Sequence, residues 1–359
     1  MNIPVSRAAR RKAKRPEKAE NTMQQAVQDQ YGAPQVLSLE ETTIPTPAAD
    51  QVLIQVHASS VTQGDRRLRA ADFPGATALV GRLMFGLTRP RHRTGGTNFA
   101  GKVVAVGSSV VNFAVGDEVF GTVDHSAYAE FIALAADARI ARIPRGIDYA
   151  QAAAAPYGAG TALSFMRDIA KLKAGERVLI VGASGGVGRY AIQIARHMGA
   201  EVTAVCSARH ADWVRELGAS EVIDYRSVDY TRLGKNWDVI FDTSSGDGFR
   251  EAWKCLSDEG RYVTLYMNLK VMRQTLTSSL RGGPRIKGGV VLGSQELVSD
   301  VADLLAEGAI CPRIVGRYSL SQIVEAHQAL EAGNPGGDIV VVMGERARRV
   351  TLAPEAVAA

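Results

Sequence analysis

The run Gly182-Ala183-Ser184-Gly185-Gly186-Val187-Gly188 directly follows the hydrophobic string RVLIV and opens the amphipathic segment GRYAIQIARHMG. Glycines at these spacings let a chain turn tightly and bring its backbone against a phosphate. The helix that follows offers unpaired amides and a positive dipole end to a pyrophosphate. The run therefore reads as a dinucleotide-binding turn. Which dinucleotide it takes is read at the end of the next strand, EVTAVCS. A site that bonds both ribose hydroxyls usually places Asp or Glu there, whereas Cys206-Ser207-Ala208-Arg209-His210 carries no acid. A carboxylate would repel a 2′-phosphate; Ser207 and Arg209 bond it, and the guanidinium fork suits the group. These residues point to NADPH. The competing reading of Arg209 is a solvated residue at a helix start.

A turn of this kind needs alternating strands and helices around it, and the second half of the sequence supplies them. RVLIVGA (177–183), EVTAVCS (201–207), EVIDY (221–225), WDVIFDTSS (237–245) and GRYVTLYM (260–267) read as buried strands. Helices are expected over GGVGRYAIQIARHMG, ADWVRELG, EAWKCLSD and QELVSDVADLLAEG, so the segment predicts a doubly wound parallel sheet. Before it, the Ala-rich stretch from Tyr149 reads as a helix interrupted at Pro156–Gly160. Residues 51–143 read as a β-rich, barrel-like unit with glycine at most turns. Residues 65–94 depart from that pattern: Arg-rich, with the apolar stretch ALVGRLMFGL, they are expected to form a mobile loop with a short helix. The final stretch, RIVGRYSLSQIVEAHQALEAGNPGGDIVVVM, is expected to hold a helix and a terminal strand.

The 359 residues carry a net charge of +5, and its location decides what it means. Residues 1–22 hold seven Lys or Arg against two acids, so this tail carries the whole excess and the body is neutral. That removes the reading of a basic nucleic-acid-binding domain, whose charge would spread over a folded face. The tail is expected to be a disordered solubilising extension, and nothing in it reads as a signal peptide. No apolar run approaches the ~18 residues of a membrane span. Three cysteines, Cys206, Cys255 and Cys311, are odd in number and widely spaced, which argues for a reducing, cytoplasmic setting and against a disulfide framework.

The strings VLIQVHASSVTQGD, GTNFAGKVVAVGSSVVNFAVGDEVFG, APYGAGTALSF, VLIVGASGGVGRYAIQIARHMGAEVTAVCS, LGASEVIDY and GRYVTLY carry a resemblance over nearly all of residues 24–345. The chain resembles the medium-chain dehydrogenase/reductase superfamily, in its zinc-free quinone oxidoreductase-like branch. The resemblance implies an α/β protein with a GroES-like β-rich catalytic domain (23–148 and 313–359) and a Rossmann NADPH-binding domain (149–312). It implies that Ser184, Gly185, Gly186 and Val187 meet the pyrophosphate, and that Ser207, Arg209 and Tyr225 meet the adenosine phosphate end. Thr161 and Leu265, Tyr266 and Met267 would lie by the nicotinamide. A homodimer is common in similar proteins. Zinc-dependent members carry a Cys near Thr62, a His-Glu pair near Asn98, a later Cys near Pro156 and a four-Cys structural site. Here GTNFAG replaces the pair and no Cys precedes Cys206, so no metal is expected. Thr62 itself is a departure, because the branch commonly has Asn there.

Without a metal, the expected reaction is hydride transfer to a quinone or an α,β-unsaturated carbonyl, whose developing oxyanion needs hydrogen-bond donors. Thr62, Gln63, Tyr128 and Tyr157 are the candidate donors, each tyrosine having a packing role as its alternative. Arg82, Arg89, Arg91 and Arg93 of the insert could draw an anionic substrate. The runner-up function is therefore a trans-acting enoyl reductase working on a carrier-bound or CoA thioester in secondary metabolism. A non-catalytic NADPH-binding or RNA-binding protein is the reading from another class, supported only by the basic tail. The expected partners are small molecules, with no nucleic acid and no membrane.

Overall fold

The computed structural model describes residues 21–73, 77–234, 236–244, 248–266, 269–280, 284–289, 291 and 293–344. The expected basic tail lies outside the described residues except for its end, where Thr22 already begins a strand, Thr22–Val27. Among the described residues no helix is long and apolar enough to cross a membrane.

Six strands form one sheet in the order Glu221–Asp224, Glu201–Cys206, Arg177–Val181, Trp237–Asp242, Leu256–Thr264, Arg285–Gly288, and every pair in it is parallel. That is the dinucleotide-binding order, in which the direction of winding reverses between the first and fourth strands. Near-continuous apolar runs such as Val178-Leu179-Ile180, all fully buried, are what a sheet covered on both faces requires. A second sheet of seven strands is mostly antiparallel. It runs from Ile314–Ser319 through Asp338–Val342, Gln51–Val61, Asn98–Val106 and Glu118–Thr122 to Ile140–Arg142, with Phe131–Ala135 pairing Gln51–Val61. The C-terminal strand thus returns to the unit built by the first half of the chain, pairing Ile339 with Val61 in this second sheet, immediately before Thr62.

The Ala-rich helix joins the two units. It runs unbroken as Tyr149–Leu163, through Pro156, where an interruption at Pro156–Gly160 was expected. A proline inside a helix costs about 3 kcal/mol, and close packing offsets it. Ala152 to Ala155 are buried to 2% exposure or less. A Cβ on Gly158 would lie 2.6 Å from the Gly186 carbonyl oxygen and 2.5 Å from the Tyr190 ring. Only small residues let this helix lie so near the glycine turn.

Three further expectations change. The insert forms two helices, Gln63–Ala70 and Thr77–Phe85, in place of a loop with one, because the reciprocal cap between Thr62 and Asp65 nucleates the first. EAWKCLSD is only partly helical: Phe249–Ala252 and a short 3-10 turn give way at Leu256 to a strand, drawn by pairing with Trp237. Ile314–Ser319, read only as part of a helix-bearing stretch, is an edge strand.

Candidate functional site

Strand Arg177–Val181 ends where the sheet order reverses, and sheets of this kind bind ligands at the carboxyl ends of their strands at that point. Gly182 takes φ +77°, and a Cβ on Gly188 would stand 2.3 Å from the Gly182 carbonyl oxygen. Both glycines are therefore needed to close the turn. Gly186 differs: a Cβ there would meet nothing within 4 Å, so its backbone borders open space. The amides of Gly186 and Val187 donate to no other described group, and helix Gly188–His197 begins with no side-chain cap. Ser184 is buried and its hydroxyl accepts from Asn334 Nδ2 at 2.7 Å, leaving its own O–H to donate. Open backbone, free amides and a donating hydroxyl fit a pyrophosphate. The nicotinamide such a group carries supplies hydride.

Past the second strand, Ser207 is buried and Tyr225 is exposed. Arg209 Nε points at His210 Nε2 at 3.1 Å, Arg313 lies 5.4 Å over the Trp213 ring and Arg226 lies 5.8 Å over Tyr225. Burial, Arg209 and Arg313 all hold the His210 imidazole below its ordinary pKa, so the ring is neutral at pH 7. Neither Arg209 nor Arg313 is paired with a carboxylate among the described residues. Two arginines thus gather around His210 and Trp213, and the strand end itself carries no acid.

The other end of the site gathers residues from both units. Leu265 and Tyr266 follow strand Leu256–Thr264, and the Tyr266 amide is fixed by Thr264 Oγ1 at 3.2 Å. Tyr157 approaches Gly64 so closely that a Cβ on Gly64 would lie 2.9 Å from its ring. Thr161 stands one helical turn beyond Tyr157, on the same face. Arg67 projects its guanidinium carbon to 5.5 Å from the Tyr266 ring centre. Burial raises the Tyr157 phenol pKa, and Arg67 only partly opposes it; the group stays protonated and able to donate.

The other expected donors are placed differently. Thr62 Oγ1 accepts from the Asp65 amide at 3.3 Å and donates its own proton to Asp65 Oδ2 at 2.6 Å, so it is the cap of helix Gln63–Ala70. The carboxyl of Asp65 is 3% exposed and is raised by burial, against hydrogen bonds from Thr62 and Thr97. Gln63 is exposed and its amide oxygen holds Arg66 Nε at 2.9 Å. Tyr128 is buried, its hydroxyl 3.4 Å from the Ser60 carbonyl. It lines a partly open pocket of about 60 Å³ with Arg69, His92, His125 and His327. Met267 lies outside the described residues. The structure thus sets Tyr157 within electrostatic reach of Tyr266, with Thr161 one turn further along the helix and Leu265 adjoining Tyr266 in sequence, and sets Gln63 and Tyr128 to other contacts. Arg67, Arg313 and Asn334 were missed. Each comes from a distant segment, and no spacing in the sequence ties it to the glycine turn.

The pocket carries a pH prediction. Arg69 Nη1 donates to His327 Nδ1 at 2.9 Å, which leaves the ring proton on Nε2, where it has no partner. Burial, helped by Arg69, holds His327 at a pKa of about 3, from an ordinary 6.5. Its folded pKa is depressed, so its contribution to stability is full above pH 6.5 and is lost as pH falls toward 3. The loss is about 1.4 kcal/mol per pH unit. Denaturant titrations at pH 7 and pH 5 are expected to show wild type losing about 2 kcal/mol more than His327→Gln over that interval.

Comparisons with known proteins agree with this geometry. Residues 48–145 match the alcohol dehydrogenase GroES-like domain, and residues 217–341 match the zinc-binding dehydrogenase domain. The mitochondrial NAD(P)H oxidoreductase RTN4IP1 of Bos taurus is 32% identical over 357 residues, with 87% of each chain covered. The chain belongs to the medium-chain dehydrogenase/reductase superfamily, among its quinone oxidoreductase-like members. It is an oxidoreductase that uses a nicotinamide cofactor. The solved quinone oxidoreductase of Coxiella burnetii is similar at TM-score 0.78 and 29% identity, covering 89% of this chain and 99% of its own. The CurK enoyl reductase is similar at TM-score 0.79 and 25% identity, covering 90% and 100%. Among the described residues, no group of three or more His, Cys, Asp or Glu stands where it could hold a metal ion.

Proposed function

We propose that the protein is an NADPH-dependent, zinc-independent reductase that passes hydride to a quinone or an α,β-unsaturated carbonyl. The observation that carries this reading is Tyr157, a phenol kept protonated by burial, set against Gly64 of one unit and near Tyr266 of the other. It is the hydrogen-bond donor for an acceptor oxygen, with Thr161, Leu265 and Tyr266 forming the wall toward the nicotinamide. The cofactor choice is supported by Arg209, Arg313 and Ser207, which would meet a 2′-phosphate at a strand end that carries no acid of its own. Zinc independence is supported by the donor set: Thr62, Asn98 and Pro156 occupy the places where the resemblance puts zinc ligands.

Steady-state rates with both nicotinamides test the cofactor choice. Arg209→Ala is expected to raise KM for NADPH by about tenfold, the loss of one charge-assisted contact, while KM for NADH stays unchanged. Equal effects on both would remove the assignment. The second reading, an enoyl reductase acting on a carrier-bound or CoA thioester, is favoured by the likeness to the CurK enzyme. Activity on enoyl thioesters with quinones inert would select it.

A further inference from the structure

We propose that Arg67 is a specificity-determining residue that selects acceptors carrying an oxyanion, such as a carboxylate or sulfonate, beside the group to be reduced. The proposal rests on the reductase reading and names the substrate class of that same site. Arg67 is partly buried, and among the described residues no carboxylate pairs with it. Its neighbours Arg66 and Arg69 are both paired, with Asp72 and Glu331. On a helix, positions 65 and 69 stand one turn apart while 67 faces away from them. Asp65 and Arg69 accordingly turn into the pocket beside Tyr128, and Arg67 reaches out to Tyr266. The guanidinium is thus held on one side by a ring face. Its remaining N–H donors are left for the paired oxygens of a carboxylate or sulfonate.

The arginines of the insert do not compete for this role. Arg93 is engaged by Asp29 and Glu40, Arg82 by the Leu87 carbonyl and the Tyr31 ring, and Arg91 by the Leu83 carbonyl. Arg89 acts on Asp29. Arg67 alone of these brings an unpaired cation to Tyr266. A neutral quinone gives such a cation nothing to pair with, whereas an anionic substituent is neutralised in a partly dry setting.

Calorimetric binding to the NADP+-loaded protein tests this with a matched pair of probes, naphthoquinone sulfonate and unsubstituted naphthoquinone. Wild type is expected to bind the sulfonate about tenfold more tightly. Arg67→Met should erase that difference while leaving the affinity for naphthoquinone unchanged, and Arg67→Lys should restore part of it. Equal affinities in wild type, or a preference that survives Arg67→Met, would overturn the proposal. Turnover is read separately. If wild type binds the probes selectively but neither probe supports NADPH oxidation, the reductase reading fails and the anion site stands.

Discussion

Gly186→Val is expected to weaken NADPH binding by about a hundredfold, close to 2.7 kcal/mol, with no change in the thermal midpoint. A Cβ at this position meets nothing within 4 Å, and the residue is not among those with positive φ. The backbone and the first side-chain carbon are therefore accommodated without strain. What the side chain fills is the open space beside free amides, where the pyrophosphate has to approach. Gly188→Val makes the contrast. Its Cβ would strike the Gly182 carbonyl oxygen at 2.3 Å, so the turn itself must deform, and stability and cofactor affinity fall together. Fluorescence titration with NADPH, paired with thermal unfolding, separates the two outcomes. A Gly186→Val variant that binds NADPH as wild type does would remove the turn from the cofactor site.

The second large effect lies at the junction between the two units. Arg189, one residue into the helix of the glycine turn, forms a buried ion pair with Asp338 on the C-terminal strand, and Tyr190 donates to the same carboxylate at 3.0 Å. Both charged residues are less than 9% exposed. Desolvating two charges offsets most of their attraction, but removing one partner strands the other. Asp338→Ala is expected to cost about 3–5 kcal/mol, read in urea unfolding followed by tryptophan fluorescence. The double replacement Arg189→Met, Asp338→Leu should recover most of that loss, since an apolar pair removes the stranded charge. If the single and double variants are equally unstable, packing at this point matters more than the charges do.

These two sites also mark how far the sequence could be read. The glycine turn is local. RVLIV, GASGGVG and the helix behind it are contiguous, so hydrophobic periodicity and the needs of a tight turn were enough to find it. The acid-free strand end at Cys206-Ser207 is local too. Pairs that close the site from a distance left no such trace. Asn334 reaches Ser184 across 150 positions, and Arg189 reaches Asp338 across 149; neither pair follows a helical or strand period. Tyr128 and Tyr157 look alike in the sequence. The first is fixed beneath helix Gln63–Ala70 and the second beside Gly64, and only tertiary packing separates them. Pro156 misled for the same reason, because a local rule about helices gave way to the close contact that Gly158 permits.

Thr62 illustrates a smaller divergence. A hydroxyl at the start of a helix has two uses, and Asp65 three residues later decides between them by accepting its proton. The capping spacing was present in the sequence, and it directs Thr62 toward holding the helix that carries Arg67.

The central claim is a two-electron transfer from NADPH to an electron-poor acceptor. Its most direct test is anaerobic stoichiometry, with NADPH consumed measured against acceptor reduced, for a quinone and for an enone. One acceptor reduced for each NADPH oxidised is expected with at least one of the two, together with a marked loss of rate in Tyr157→Phe. Protein that binds NADPH but consumes none of it with either acceptor would contradict the account.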